Sequence, residues 1–296
     1  MTDGPTIAAS IVCRNEADRL GDRLASVTWA DEIVVVDLES DDGSADVARR
    51  YGARVITHPR VPIVELVRNF AADATTAVWI LALDPDERVE PALAEELRRL
   101  SVRAELDVVE IPFMNFDLGF PATHPLHRYD PKPRMYRRER VRWPEAPNEL
   151  PKVDRARTYR IPPRDELVIR HERNRNLPEI LDRVLRYAPA EAQAMLDRGE
   201  SFTAARMTRT LGRKIYKQFV AAKPYDDGVP GLLRGGVLVA FHFYVWFELW
   251  QRSGVGRTAQ DDRHVARLGR AVAAAALAAR AARGPAKALR ALRRRP

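Results

Sequence analysis

Cysteine is almost absent from this chain of 296 residues. Cys13 is the only one, set inside the apolar run Ile11-Val12-Cys13, so no disulfide framework can form and a reducing compartment is expected. A lone thiol in such a run reads as a small core residue. The opening Met1-Thr2-Asp3-Gly4-Pro5 lacks the basic region and apolar stretch of a secretory leader, so cytoplasmic synthesis and residence are expected. There is no internal repeat, and no low-complexity stretch outside an Ala/Arg-rich end. Also missing is an unbroken run of the about 20 apolar residues that a membrane span needs. The most apolar part, 231–250, is interrupted by Arg234 and Glu248. Acids run out as well: none follows Asp262, whereas ten Lys or Arg residues do. The net charge of +8 therefore belongs to a tail, and residues 1–262 alone carry −2.

What is present is a regular alternation. Thr6 to Cys13 reads as a buried strand, Glu16 to Val27 as a helix with Leu20, Leu24 and Val27 on one face, and Glu32 to Asp37 as a second strand. The turn Glu39-Ser40-Asp41-Asp42-Gly43-Ser44 leads to a helix from Ala45 to Tyr51. Arg54–Thr57 makes a third strand, Ile63–Ala74 a helix, Val78–Leu83 a strand and Ala92–Leu100 a helix. Strands that are continuous apolar runs between helices indicate an α/β fold, a mostly parallel sheet with helices on both faces. Val108 to Phe113 is a further strand. Pro121 to Pro163 has little periodicity and reads as a loop region, and helices return from Leu177. Gly284-Pro285 is expected to divide the tail, excluding one continuous helix there.

The fourth strand runs into Asp84-Pro85-Asp86-Glu87, followed by a turn and Pro91 opening a helix. Two carboxylates one residue apart at the carboxyl end of a buried strand suit a hard divalent cation, Mg²⁺ or Mn²⁺, bound together with phosphate. The alternative is that both acids cap the helix after Pro91.

The order of motifs resembles glycosyltransferase family 2, the inverting enzymes of GT-A fold. The matching segments are Ile11-Val12-Cys13-Arg14-Asn15-Glu16, Ala30 to Asp37, Ser40-Asp41-Asp42-Gly43-Ser44, Arg68-Asn69-Phe70-Ala71 and Leu83-Asp84-Pro85-Asp86-Glu87. Within that family the chain is most similar to the bacterial branch that includes lipopolysaccharide-core glucosyltransferases. The resemblance implies a Rossmann-like GT-A domain with a helical C-terminal extension. Residues 1–105 would be its nucleotide-sugar half and 106–175 its acceptor half, followed by a helical extension over 176–262 and a basic tail over 263–296. It also implies transfer of a sugar from a nucleotide-diphosphate donor, most simply UDP, to a polysaccharide, lipid-linked or lipopolysaccharide-core acceptor.

Physical roles follow for the donor-side residues. Asp37 can accept the uracil N–H and Glu16 a ribose hydroxyl, because ionised carboxylates only accept. Glu16 could equally be an acid favoured by the start of a helix. Arg68 offers a planar fork to base or phosphate, or is a solvated helix-face arginine. Arg14 and Asp42 join the donor set with the motifs that contain them. By resemblance Asp84 would contact ribose and Asp86 the metal. His171, ending the apolar stretch Val168-Ile169-Arg170-His171-Glu172, would be a second metal ligand or a structural histidine.

For the base, Glu149 in Pro147-Asn148-Glu149-Leu150 falls where this branch has a His-Glu pair, with Asn148 in the histidine's place. Glu145 is the substitute candidate, and a surface-loop role is open for both. Arg137 and Arg138, in Pro133-Arg134-Met135-Tyr136-Arg137-Arg138, would line the diphosphate or an anionic acceptor, or form a solvated loop. The segment 231–250 with the cationic tail fits peripheral attachment to anionic lipid at the inner face of the plasma membrane. A buried helix packed on the domain or at a homodimer contact is the alternative. The rival functions are a nucleic-acid-binding protein that uses the tail, and a GT-A scaffold without catalysis.

Overall fold

The computed structural model describes residues 4–124, 128–173, 175–254 and 256–292. The chain begins with β1 (Ile7–Cys13), α1 (Ala17–Ala25), β2 (Glu32–Asp37), α2 (Ser44–Arg50), β3 (Arg54–Thr57), α3 (Glu65–Asp73) and β4 (Trp79–Leu83). Then come β5 (Glu87–Val89), α4 (Pro91–Ser101), β6 (Val108–Ile111), β7 (Phe113–Asp117), β8 (Phe120–Pro121), β9 (Lys132–Arg137), β10 (Thr158–Arg160) and β11 (Ile169–Arg173). The remainder is helical: α5 (Leu177–Asp197), α6 (Ala204–Ile215), α7 (Gly228–Arg252) and α8 (Ala259–Leu292).

A seven-stranded sheet runs in the order β10-β6-β9-β4-β1-β2-β3, parallel throughout except for β9. Along β1, Ile7, Ala9, Ile11 and Cys13 pack with Leu20 and Leu24 of α1 and with Leu93 and Leu97 of α4. Val12 goes the other way, to Val67 and Ala71 of α3. Helices on both faces are why these strands lack an apolar/polar alternation. Cys13 is buried, as its setting suggested. A second sheet, β5-β11-β7-β8, stands beside the first.

Four expectations need correction. Glu87–Val89 is not a turn but β5, because its backbone pairs antiparallel with β11. The expected strand Val108–Phe113 is two strands in different sheets, and the chain crosses from one sheet to the other at Pro112. The supposed loop region contains β9, wedged between β4 and β6 in the main sheet. Its pattern was hidden by Pro133, which cannot donate to the ladder, and the β6–β9 register shifts close by, between Val109 and Glu110. Finally, α8 continues through Gly284 and Pro285. A proline removes a single intrahelical donor, and the alanine-rich sequence around it has the highest helix propensity. The tail's Arg293, Arg294 and Arg295 lie outside the described residues.

The helical extension has a small core of its own, with Ala188, Ala192 and Met195 of α5 against Val245, Trp246 and Leu249 of α7. The stretch Pro224–Arg252 is long and apolar enough to cross a membrane by length and composition, and 28% of its most apolar window is buried. Arg234, counted as an interruption of the apolar run, is taken up in a buried ion pair with Asp227 at 2.5 Å.

Candidate donor and metal site

The site forms where the carboxyl ends of β1, β2 and β4 meet the second sheet. Asp84 follows β4 directly and Asp86 precedes β5. The register of β5 with β11 sets His171 opposite Glu87, and that of β11 with β7 sets His171 beside Asn115. His171 Nε2 then lies 3.4 Å from Asp86 Oδ2, and its Nδ1 lies 2.9 Å from Asn115 Oδ1. An acceptor at Nδ1 places the ring proton there and leaves the Nε2 lone pair facing Asp86. Asp86, Glu87 and His171 bring ligand atoms within 4.8 Å of one another. Burial holds the imidazole below its usual range, so it stays neutral. Burial works against ionisation of Asp86 too; a charged His171 would oppose it, and with the ring neutral the opposing charge comes from Arg183, 3.2 Å away, and Arg19, which hold the carboxyl below the carboxylate range.

Glu87 has a different task. It is fully buried; Oε2 accepts the Asp84 N–H at 2.9 Å and Oε1 meets Arg134 Nη2 at 2.5 Å. Burial pushes its carboxyl up to about 8, and Asp84 and Asp86 push the same way against Arg134. With its oxygens engaged, Glu87 shapes the loop, which leaves Asp86 and His171 as the pair that fits a divalent cation. Asp84 is held by Arg68 Nη2 at 2.7 Å and Arg134 Nη2 at 2.9 Å. Arg68 also stacks over Trp143, 4.9 Å from the ring centroid.

At the ends of β1 and β2, Asp37 is buried and accepts the Ser40 N–H at 3.2 Å. Glu16 precedes α1 and pairs with Arg19, and its backbone N–H donates to Ser44 Oγ at 2.8 Å. Asp42 ties two helix starts together: Oδ2 accepts from Ala17 N at 2.9 Å and Oδ1 from Ser44 N at 2.9 Å. Arg14 is exposed at the rim.

The structure does not bring Glu149 to this cluster. Its half-exposed carboxylate sits 3.7 Å from Arg198, the residue that caps α5, whereas Arg183 near the start of α5 meets Asp86 at 3.2 Å. The neighbouring Asn148 donates from Nδ2 to Glu191 Oε2 of α5 at 3.5 Å. Glu145 is exposed as well. Asn148 has φ 57°, a left-handed conformation that asparagine tolerates better than most residues, and its N–H donates to Glu65 Oε1 at 3.2 Å.

Arg137 and Arg138 are a correction. Arg137 pairs with Trp79 across the ladder, and Arg138 N donates to the Val78 carbonyl, so both lie at the amino end of β4, away from Asp84. An antiparallel strand carries its last residues to the opposite end of the sheet. Arg134, three residues earlier, is the one that reaches the acids. The sequence reading missed Arg134, Asn115 and Arg183. Arg134 stood in a quoted motif, but nothing in the sequence gave the strand direction. Arg183 and Tyr187 lie one turn apart on α5, and burial with the nearby Glu65 and Asp84 pushes the Tyr187 hydroxyl up to about 12.

Among curated proteins, the chain is 32% identical over 131 residues to an uncharacterized glycosyltransferase of Rickettsia felis, covering 44% of each. It is 32% identical over 99 residues to the lipopolysaccharide core biosynthesis glycosyltransferase LpsC of Rhizobium meliloti, covering 32% of this chain and 36% of LpsC. The matched region thus spans less than half the length of these relatives. Among solved structures, TarS of S. aureus in complex with UDP is 14% identical with a TM-score of 0.44, covering 76% of this chain and 75% of that one. The sequence profile of Glycosyl transferase family 2 matches residues 9–161, and the chain belongs to that family.

Proposed function

We propose that this protein is an inverting, metal-dependent glycosyltransferase that takes a sugar from a nucleoside-diphosphate donor, UDP first among them. The observation that carries this reading is the pairing of Asp86 with a neutral, Asn115-anchored His171 at the carboxyl end of the central strand. An oxygen and an imidazole nitrogen suit Mn²⁺ or Mg²⁺, and a bound cation would stabilise the charge that builds on a departing diphosphate. The chain's own residues do the rest. Asp37 and Glu16 offer acceptors to the base and ribose, Arg68 and Arg134 hold Asp84 rigid, and Arg183 and Arg19 add positive charge beside Asp86. Glu149 is the proposed base. Its neighbour Asn148 is tied to Glu65 of α3 and Glu191 of α5, and in this reading Glu149 comes within hydrogen-bond reach of the acceptor hydroxyl that attacks the anomeric carbon.

The LpsC relative supports a cell-envelope glycan or glycolipid as acceptor. A cytoplasmic enzyme docked on the inner membrane face would suit such an acceptor. The support for docking is α7, which leaves Leu232, Leu233, Phe243, Phe247 and Trp250 exposed while its opposite face packs on α5.

The test is thermal unfolding with UDP and Mn²⁺, since a ligand that binds the native state raises stability by mass action. The wild type should be stabilised by UDP in a metal-dependent way, and Asp86→Ala should lose that effect while keeping its unliganded midpoint. Unchanged UDP affinity in Asp86→Ala with Mn²⁺ would sink the assignment.

A further inference from the structure

At the amino end of the main sheet, opposite Asp84, lies a cavity of about 380 Å³ whose walls include Val78, Asp107, Arg137, Arg138, Arg140 and Arg157. It exists because β9 is antiparallel. The strand ends where β4, β6 and β10 begin, so its final arginines and the following turn gather with Asp107 and Arg157.

Two of the four guanidinium groups are committed to the protein. Arg157 grips Asp107 through Nε at 2.5 Å and Nη2 at 3.0 Å. Arg137 donates from Nε to the Leu106 carbonyl at 2.7 Å and lies over Trp79, 4.6 Å from the ring centroid. The other two retain donors. Arg138 gives Nη1 to the Thr75 carbonyl at 3.1 Å, but its buried Nε has no partner. Among the described residues the Arg140 side chain makes no hydrogen bond or ion pair. Four cations thus face only Asp107 and Glu139 in the cavity wall, an excess that disfavours an empty site and favours an anion.

The geometry points to a second ligand site here, for a compact phosphorylated anion of at least two negative charges, bound independently of the metal site. Guanidinium forks present parallel donors that match phosphate oxygens. The volume is at the low end of the range for small-molecule sites, about 300–1,000 Å³, which suits a diphosphate or sugar phosphate better than a whole nucleotide sugar.

The probe is inorganic pyrophosphate, titrated calorimetrically into the full chain in EDTA so that no metal serves the Asp86 site. Saturable binding is expected, weakened at least 10-fold in Arg140→Glu and in the Arg138→Ala/Arg140→Ala double variant. Stabilisation by UDP and Mn²⁺ should persist in Arg140→Glu, which shows that the fold and the metal site are intact. Among the described residues Arg140 has no hydrogen bond or ion pair to lose, only the charge it places near Asp107, and the retained UDP and Mn²⁺ effect separates ligand binding from folding. No saturable pyrophosphate binding by the wild type, or wild-type affinity in Arg140→Glu, overturns the proposal.

Discussion

Asn115 decides which nitrogen of His171 faces Asp86. Its Oδ1, 2.9 Å from Nδ1, fixes both ring orientation and tautomer, and such partners typically carry 10- to 100-fold of a site's metal affinity. Asn115→Ala should therefore weaken Mn²⁺ binding by about 10-fold or more, measured by titration with UDP present. An unaltered Mn²⁺ affinity would make His171 a core histidine. For the base, Glu149→Gln removes the proton acceptor while keeping the shape, so turnover should fall by roughly 100-fold or more with UDP binding preserved. Full activity in that variant would pass the role to another acid. The acids of the candidate metal site were legible in the sequence because a strand that ends in Asp-x-Asp sets both carboxylates at its carboxyl end. The arginines were not: residues 134, 137 and 138 are the same type, and only the direction of β9 sends the first to Asp84 and the others to the far end of the sheet.

At the level of elements, α7 depends on close approach at its first turn. A Cβ on Gly231 would fall 2.1 Å from the Pro224 carbonyl oxygen and 2.6 Å from Asp227 Cβ, whereas one on Gly236 would meet nothing within 4 Å. Gly231→Ala should cost about 1–3 kcal/mol in urea unfolding through overpacking. Gly236→Ala should be neutral or gain up to about 1 kcal/mol from helix propensity. Equal effects from the two would mean that the turn does not pack as described. His242, on the same helix, is held down at about 4 by burial and by Lys214 and Lys217. Between its usual value near 6.5 and about 4 the unfolded chain takes up a proton that the folded one refuses, so stability should fall as pH drops through that window. His242→Gln should flatten that slope in urea midpoints measured from pH 7 to 4. Of the helices and strands, those in the first hundred residues other than β5 were readable from the sequence because most are buried on both sides or carry a clear apolar face. β5 and β9 were not, because their strand identity comes from partners far away in the chain.

At the scale of the whole molecule, charge and apolar surface divide unequally between the two-sheet half and the helical extension. The exposed Phe243, Phe247 and Trp250 belong to α7, and α8 docks on α6 through His264 Nε2, 2.8 Å from Thr208 Oγ1, and Asp261, which accepts the Ala204 N–H at 2.7 Å. Cutting after Asp262 keeps the Asp261 contact and removes all ten trailing cations. Each Lys or Arg near an anionic surface contributes about 1 kcal/mol at most, so the tail can supply a large share of membrane affinity with no specific contact. The truncated chain should sediment much less with anionic liposomes at low salt, while its transfer to a soluble acceptor analogue survives. Placing a charge in the aromatic face, as in Phe247→Glu, should weaken sedimentation of the full chain without making it more salt-sensitive, because that face acts by apolar insertion. If the truncated chain binds anionic liposomes equally well, the tail is not an electrostatic anchor and the apolar face of α7 carries the attachment; if the full chain ignores them, a packing or partner-binding role is the better reading for the tail, and the exposed face of α7 becomes a surface for another protein or a second copy of this chain.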